Sequence, residues 1–416
     1  MRKMIDSGVE WLGAIPQDWD LVQIKSIASC KSEKSSYIGG AYIGLEHIES
    51  GSGKLLADGS QTGIEVDSTV SSFSDTDILF GKLRPYLAKA AKPNFDGQCS
   101  TEILVLNPSS RIQKDFLFWY LLNPAFIDAV NASTYGAKMP RANWNFIGSC
   151  YLPLPPMNMQ TVISSVLNEK FAQVDTLIAN VQAQIEKLKA YKQSVITEVV
   201  TKGLDPTVLM KDSGFEWIGE IPAHWEVKRG KVLFEESDAR SADGSEELLT
   251  VSQYTGITPR SQKNVNMFEA LTLEGYKICD VGDIAANTMW LWAGAIGVSA
   301  YSGVISPSYN VYRQKAENFV PGYLDCLLRA PMLVQEYASR STGIRASRLR
   351  LYPKDFLDIM FPVPPFGEQQ EIMRVLSDKF AAVDKLIAIK ESKIEKLEQY
   401  KKSLIYEYVT GKREVM

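Results

Sequence analysis

An internal repeat limits the possible folds of this chain more than any other feature. Residues 7–19 read SGVEWLGAIPQDW, and residues 213–225, located 206 positions later, read SGFEWIGEIPAHW. Residues 153–201 match residues 362–410 at an offset of 209, with about half of the positions identical. Each half therefore contains a tryptophan motif, a variable block, a proline-rich stop and a long repeated tail. We predict four segments, which cover residues 1–152, 153–204, 205–361 and 362–416.

The two variable blocks differ in sequence but keep one register. Asp77 and Gly97 return 206 positions later as Asp283 and Gly303. Short apolar runs bounded by Gly, Ser and Pro predict strands, and other short stretches predict helices. The predicted strands include 102–106 and 309–312, and the predicted short helices include 116–122 and 322–329. The fold class is therefore predicted to be mixed α/β (α+β), with two similar globular domains related by an internal pseudo-two-fold repeat.

The repeated tails show the heptad pattern of a coiled coil, in which apolar residues recur in alternating steps of three and four. Lysines occupy seam positions at Lys192, Lys390 and Lys401, and such polar residues fix register at a cost in stability. Proline pairs before each tail, with Gly203 and Gly411 after it, predict the ends of two helices of about 42 residues, roughly 60 Å long. The two helices are expected to pair with each other, and the alternative is that each packs on its own domain. The predicted seam consists of Phe171, Val174, Ile178, Ile185, Leu188, Phe380, Val383, Ile387, Ile394 and Leu397.

Cysteine spacing and hydropathy indicate where the chain resides. Its five cysteines lie far apart and include no C-x-x-C pair, which argues against a disulfide scaffold and fits a reducing compartment. The N-terminus lacks the apolar region of a secretory signal. Residues 284–312 carry no charge but are broken by Gly and Pro, so they predict buried strands rather than a membrane span. We predict a cytoplasmic protein with no membrane partner.

Enzyme signatures are missing from the sequence. Residues 51–54 read GSGK, but the first glycine of a P-loop is absent and Leu55 follows where Ser or Thr would bind magnesium. The two histidines, His47 and His224, cannot form a metal cluster by themselves. We therefore predict that this chain has no catalytic residue, no metal and no cofactor of its own.

Charge is segregated locally although the net charge is −4. Two basic islands without acids, between Asp77 and Asp96 and between Glu336 and Asp355, are typical of phosphate-binding surfaces. Cations shared by the two copies suit phosphate contacts, and the diverged polar and aromatic residues suit base recognition, with Asn able to pair adenine and Arg guanine. Ordinary solvated surface and side-chain packing remain the alternatives. The candidate nucleic-acid contacts are Lys82, Arg84, Tyr86, Lys138, Arg141, Asn143, Thr288, Trp290, Trp292, Arg345, Arg348 and Arg350.

Several motifs resemble those of the specificity (S) subunit of type I restriction-modification systems. They are the EW(L/I)GxIPxxW openings at 10–19 and 216–225, GKLRPY at 81–86, DGQCSTE at 96–102, SPSY at 306–309 and the PPxxEQ start at 364–369. The resemblance covers nearly the whole chain. One departure is Met159, which stands where the second copy has Glu368, and it is expected to change a detail at the helix N-terminus.

The resemblance implies two target-recognition domains separated by two conserved helices that pack antiparallel as a spacer. It implies double-stranded DNA as a partner, read as a bipartite target with a fixed gap. It also implies two adenine-methyltransferase (M) subunits and restriction (R) subunits that translocate and cleave DNA. S-adenosylmethionine, ATP and Mg are then expected on those partner subunits, with no cofactor in this chain.

Two other functions remain open on the sequence. One is a non-catalytic coiled-coil interaction scaffold with two ligand-binding domains, and the other is a single-chain restriction-methylation enzyme. The missing methyltransferase and nuclease motifs weigh against the enzyme. Salt-dependent binding to duplex DNA would weigh against the scaffold.

Overall fold

The structure, a computed structural model, describes residues 2–36, 40–56, 69–134, 139–263, 272–343 and 349–415. The chain divides into two compact units. Unit 1 comprises Met1–Gln182 and Lys390–Met416, and unit 2 comprises Ala183–Ile389. Each unit contains one globular block and a part of each repeated tail. This division into two units does not test the four segments predicted from the sequence. Their internal boundaries, after residues 152, 204 and 361, therefore stay a prediction.

Unit 1 begins with a globular block of short strands and short helices, followed by the first long helix. The strands are β1 (Met4–Asp6), β2 (Ala14–Pro16), β3 (Asp20–Gln23), β4 (Ala28–Lys31), β5 (Ser35–Ser36), β6 (Tyr42–Ile43), β7 (Thr69–Phe73), β8 (Ile78–Gly81), β9 (Ala90–Ala91), β10 (Gly97–Ser100), β11 (Ile103–Pro108) and β12 (Tyr151–Leu154). The helices are α1 (Lys114–Leu121), α2 (Pro124–Ala132), α3 (Trp144–Ser149) and the long helix α4 (Met157–Lys202), whose last part belongs to unit 2.

Unit 2 contains a closely similar series of elements, with a short α-helix where unit 1 has a 3₁₀ turn at Ile24–Ser26. Its strands are β13 (Met210–Asp212), β14 (Glu220–Pro222), β15 (Glu226–Arg229), β16 (Phe234–Ser237), β17 (Leu249–Ser252), β18 (Gly256–Pro259), β19 (Lys277–Cys279), β20 (Ile284–Ala286), β21 (Ile296–Val298), β22 (Gly303–Ile305), β23 (Asn310–Gln314) and β24 (Met360–Val363). Its helices are α5 (Gly230–Leu233), α6 (Pro321–Leu328), α7 (Pro331–Arg340), α8 (Pro353–Leu357) and the long helix α9 (Phe366–Val409), whose last part belongs to unit 1.

The sheet topology confirms that the two variable blocks share one fold. The central sheet has the order β4-β11-β8-β9 in unit 1 and β16-β23-β20-β21 in unit 2. Val105 pairs with Leu79, and their repeat equivalents Val311 and Ala285 also pair. The strands predicted within 284–312 are present as β20 to β23. Within the described residues, no helix is both long and apolar enough to span a membrane.

Aromatic residues pack the sheets against the short helices. In unit 1, Phe80 of β8 lies 6.1 Å from Phe126 of α2, measured between ring centroids. In unit 2, Tyr312 of β23 stacks on Phe356 of α8 at 4.5 Å. Burial of one such side chain contributes about 1.5–3 kcal/mol to folding. These clusters hold each central sheet and the turns at its ends in place.

A buried aspartate directly precedes β8 in unit 1 and β20 in unit 2, at equivalent positions of the repeat. The side chain of Asp77 is fully buried and accepts hydrogen bonds from Lys31 and from Asn107 Nδ2, the latter at 2.8 Å. Burial alone would raise the pKa of Asp77, but its hydrogen bonds, led by that from Lys31, outweigh burial and lower the pKa below its ordinary value. In unit 2, Asp283 accepts from Arg313 Nε at 3.0 Å, and Arg313 occupies the repeat position of Asn107. The aspartate is therefore kept while its partners differ.

The two long helices confirm the prediction from the heptad pattern. Helix α4 contains 46 residues and α9 contains 44, slightly more than predicted. Pro156 and Pro365 directly precede the first helical residues, where proline's fixed φ and missing N–H disfavour helix further upstream. Gly203 and Gly411 follow the helices with φ of 77° and 71°, a left-handed conformation that favours glycine at a helix C-terminus.

The predicted seam residues are buried or partly buried. Phe171, Val174, Ile178, Ile185 and Val383 are buried. The partly buried ones are Leu188, Phe380, Ile387, Ile394 and Leu397.

Two of the seam lysines make equivalent contacts in the two units. In unit 1, Lys401 of α9 donates to Asp175 of α4 at 2.7 Å, and its Nζ lies 5.1 Å from the ring centroid of Phe171. In unit 2, Lys192 of α4 donates to Asp384 of α9 and lies over a phenylalanine ring in the same way. The early part of α4 thus faces the late part of α9 in unit 1, and the late part of α4 faces the early part of α9 in unit 2. The predicted antiparallel pairing is confirmed within each unit.

A buried glutamine ties the start of each long helix to its globular block. Gln160 is 1% exposed, and its Oε1 accepts the backbone N–H of Gln113 at 2.7 Å. Its Nε2 donates to the carbonyl groups of Pro155, at 2.9 Å, and Arg111, at 3.3 Å. Its repeat equivalent Gln369 is fully buried and makes three corresponding bonds of 2.9 Å each. The glutamine of the PPxxEQ motif therefore joins the start of the long helix to the proline pair before it and to the segment that precedes a short helix.

The motif departure at Met159 changes one local hydrogen bond. In unit 2, Glu368 accepts from Trp225 Nε1 at 3.0 Å and lies 2.8 Å from His224 Nε2. In unit 1, Met159 stands at the position of Glu368, and the buried Nε1 of Trp19 has no hydrogen-bond partner among the described residues. Trp19 is instead covered by the guanidinium group of Arg2, 5.1 Å from the ring centroid. The fold tolerates the change because both tryptophans remain buried.

Replacement of Gln160 by alanine tests the importance of these bonds. We expect Gln160→Ala to lower the free energy of unfolding by about 2–4 kcal/mol, because the substitution leaves buried backbone groups of Gln113 and Pro155 unpaired. Gln173→Ala, on the exposed side of the same helix, is the matched control and should change stability by less than about 0.5 kcal/mol. Chemical denaturation of the full chain measures both values. Equal effects of the two substitutions would contradict this role of Gln160.

Candidate nucleic-acid interface

A short turn after β8 carries the first group of candidate contacts. Residues 82–88, the unit 1 turn, contain a 3₁₀ turn at Pro85–Leu87. The backbone N–H of Arg84 donates to the carbonyl of Pro140 at 2.8 Å, and that of Ala142 donates to the carbonyl of Lys82 at 2.9 Å. This pairing brings Lys82, Arg84 and Arg141 together, although they are far apart in sequence. The structure thus assembles part of the predicted basic surface of unit 1.

An acidic residue that the sequence analysis did not single out belongs to the same surface. Arg141 Nε donates to Glu102 Oε2 at 2.9 Å, and both side chains are partly exposed. The hydrogen bond to Glu102 raises the pKa of Arg141 further above its already high value, so the guanidinium stays charged. No local spacing links the two residues, which are 39 positions apart, and only the fold brings them together.

Asn143 has a structural role in addition to its predicted one. It is the N-cap of α3, and its Oδ1 accepts the backbone N–H of Phe146 at 2.9 Å. A bidentate contact with adenine requires both the oxygen and the nitrogen of the carboxamide, so this contact would replace the cap. Asn143 is exposed, and its role in base recognition stays a prediction.

The corresponding turn of unit 2 carries different chemistry. Residues 288–294, the unit 2 turn, contain a 3₁₀ turn at Leu291–Ala293. Trp290 and Trp292 stack on each other, with ring centroids 5.7 Å apart and an interplanar angle of 25°. Trp292 Nε1 donates to the carbonyl of Met289 at 2.9 Å, and Thr288 Oγ1 donates to the carbonyl of Ser308 at 2.7 Å. Trp290 remains half-exposed, whereas Thr288 and Trp292 are partly covered.

Arg350 lies near the helix that supports the unit 2 turn. Arg350 is exposed, and its backbone pairs with Thr342, two residues beyond α7. Helix α7 packs against the unit 2 turn, and α2 packs against the unit 1 turn. Three predicted contacts, Lys138, Arg345 and Arg348, lie outside the described residues.

A duplicated set of exposed apolar residues on the long helices was also missed by the sequence analysis. The sequence signal was available, because each residue lies off the seam and its partner recurs 209 positions later. The pairs are Met157 and Phe366, Leu177 and Leu386, and Tyr191 and Tyr400. Their exposed fractions lie between 42% and 51%.

In the part of the chain that the structure describes, no group of three or more His, Cys, Asp or Glu side chains is arranged to hold a metal ion. The five cysteines are free thiols.

Comparisons with known proteins show which family this chain resembles. The family model described as "Type I restriction modification DNA specificity domain" matches residues 16–187. The chain is 27% identical over 233 residues to the EcoDI type I restriction enzyme specificity subunit of Escherichia coli, a match that covers 55% of this chain and 48% of that subunit. The chain thus spans about half the length of that relative. It is 25% identical to the putative MjaX specificity subunit of Methanocaldococcus jannaschii over 96% of this chain and 95% of the relative.

A solved structure shares the fold along nearly the whole length. It is a chain from a study of complex assembly and conformational transition of the type I R-M system, with 17% identity and a TM-score of 0.68. The match covers 96% of this chain and 99% of that chain. The family model and the two sequence relatives are described as type I restriction specificity domains or subunits, and this chain resembles them in sequence.

Proposed function

We propose that this chain is the non-catalytic subunit that reads a bipartite DNA target with a fixed gap for a type I restriction-modification complex. The supporting observation is one fold present twice, with different side chains on equivalent turns. The unit 1 turn offers Lys82, Arg84 and Tyr86, whereas the unit 2 turn offers Thr288, Trp290 and Trp292. Two related domains with different contact residues suit the reading of two different half-sites. Because its substrate is DNA, the complex is proposed to act in the cytoplasm.

We also propose that this chain binds two copies of the methyltransferase subunit, together with restriction subunits. The duplicated exposed residues support it, because equivalent apolar groups on α4 and α9 suit binding of two identical chains. S-adenosylmethionine, ATP and Mg would be bound by those partners. The role of this chain would be to position them on the DNA.

Methylation-aware sequencing tests the proposed function most directly. A host that carries the gene for this chain should show a split adenine-methylated motif, and deletion of the gene should abolish it. The purified chain should bind duplex DNA with an affinity that falls steeply as salt increases. An unchanged methylome after deletion would reject the proposal and favour an interaction scaffold.

Glu102 provides a test of the basic surface in unit 1. We expect Glu102→Gln to tighten binding to any duplex and to steepen its salt dependence, because the substitution removes a negative charge beside Arg141. Arg141→Ala should do the opposite and lower the salt slope by about one. Binding titrations at several salt concentrations measure both effects. This assignment would be wrong if both variants changed the affinity and its salt dependence in the same direction, or if neither variant changed them.

The long helices are proposed to set the gap between the half-sites. We expect an insertion of seven residues after Glu186 in α4, paired with one after Glu395 in α9, to keep the seam and to lengthen the helices by about 10 Å. Since B-DNA rises about 3.4 Å per base pair, the methylated motif should keep its half-sites and gain a gap longer by about three base pairs. If the motif keeps its original gap and is methylated as fully as before, the helices do not set the distance between the half-sites.

The duplicated exposed residues provide a test of partner binding. We expect the double variant Leu177→Ser and Leu386→Ser to reduce methylation by the reconstituted complex by at least tenfold, since each substitution removes buried apolar area at a partner contact. DNA binding by the chain alone should stay unchanged. Gln173→Ser and Ala382→Ser, an equivalent exposed pair, form the matched control. Full methylation by the leucine variant would locate the partner surface elsewhere.

A further inference from the structure

Both units expose an aromatic side chain on the same turn of the repeated fold. Tyr86 is 53% exposed on the unit 1 turn, and Trp290 is 51% exposed on the unit 2 turn. Arg84 and Trp290 are repeat equivalents, as are Tyr86 and Trp292. Each turn therefore exposes one aromatic ring, but the exposed ring of unit 2 lies two residues earlier in the repeat than that of unit 1.

The unit 1 turn holds its tyrosine on a rigid and strained backbone. Arg84 has φ 52° and ψ 65°, and Ala88 has φ 46° and ψ 50°. These are the non-glycine residues with positive φ in the part of the chain that the structure describes. Such conformations cost about 1–3 kcal/mol each, and they persist only where the surrounding structure enforces them. Here the backbone N–H groups of Leu87 and Ala88 donate within the turn at 3.0 and 2.8 Å, and that of Arg84 is bonded to Pro140.

The unit 2 turn reaches the same rigidity through different residues. Gly294, at the repeat position of Ala88, has φ 87°, so glycine adopts the left-handed conformation there without strain. The carbonyl of Trp290 accepts the backbone N–H groups of Ala293 and Ala295 at 3.0 and 3.1 Å. Trp292 stacks against one face of Trp290 and is itself held by its hydrogen bond to Met289. Trp290 is thus supported by a second ring and still half-exposed.

A rigid turn that exposes an aromatic ring suits insertion into a base stack. Proteins that unstack DNA do so with apolar side chains inserted between base steps, and a preorganised turn avoids the entropy cost of ordering the side chain on binding. Lys82 and Arg84 lie beside Tyr86 and would contact the phosphates next to the insertion site.

From these observations we propose that Tyr86 and Trp290 are aromatic wedges that insert between base pairs, one in each half-site. The inference rests on the proposed function and adds how each domain deforms the DNA that it reads. The wedge would fill the space left when a target base leaves the helix, a step that base methylation requires.

A duplex with a ready-made gap tests this inference without knowledge of the target sequence. The full chain is titrated with a short random-sequence duplex, either intact or with one abasic site. Wild-type chain should prefer the abasic duplex by roughly tenfold, the size expected for stacking one aromatic side chain against a base. The double variant Tyr86→Ala and Trp290→Ala should bind both duplexes equally.

Two control variants separate a wedge from general loss of structure. The double variant Tyr86→Phe and Trp290→Phe should retain the preference, as should Tyr254→Ala, which removes a more exposed ring elsewhere in unit 2. Thermal unfolding of all variants reports their folding. A preference retained by the alanine variant, or absent from the wild-type chain, overturns the wedge while leaving DNA recognition intact. Failure of the wild-type chain to bind any duplex overturns the proposed function as well.

Discussion

The buried glutamine at the first turn of each long helix is the interaction on which the rest of the structure depends. Gln160 and Gln369 each make three hydrogen bonds to backbone in two separate segments. One of these segments leads into a preceding short helix, α1 in unit 1 and α6 in unit 2. Each long helix therefore has a fixed direction relative to its globular block. The candidate contact residues on that block are fixed relative to the helix in the same way. Because a buried amide without partners is costly, the fold has little freedom to vary this joint.

The far end of each long helix is held by the tryptophan motif of the same unit. Gly411 approaches Pro16 and Trp19 so closely that a side chain there would collide with them. At Gly203 a side chain would be in ordinary contact with Pro222 and Trp225 and would meet the carboxylate of Glu368 instead. Unit 1 is built from both ends of the chain, with Lys412 donating to the carbonyl of Leu12. Unit 2 is built from the middle of the chain alone. The same joint thus forms once across the two chain ends and once within continuous sequence.

The sequence allowed prediction of features that repeat and not of contacts that depend on the fold. The seam and the helix ends were predictable because heptad spacing, proline and glycine have local meanings. The pairing of Arg141 with Glu102 was not, since nothing links residues 39 positions apart before the chain folds. The cap formed by Asn143 was not predicted for a different reason: asparagine favours helix N-caps, but it equally suits a base contact. The strained turn at Arg84 had no sequence signal, because arginine rarely adopts positive φ.

The central claim is that two copies of one fold read two independent half-sites, and a domain exchange tests it most directly. Residues 226–361 would be replaced by a second copy of residues 20–152, so that both units carry the same turn, and the adenine-methylated motif would be determined by sequencing the host genome. We expect a symmetric motif, in which one original half-site appears twice in inverted orientation across the original gap. A motif that stays asymmetric, with the second half-site retained, would contradict the account, because recognition would then reside outside the exchanged domains.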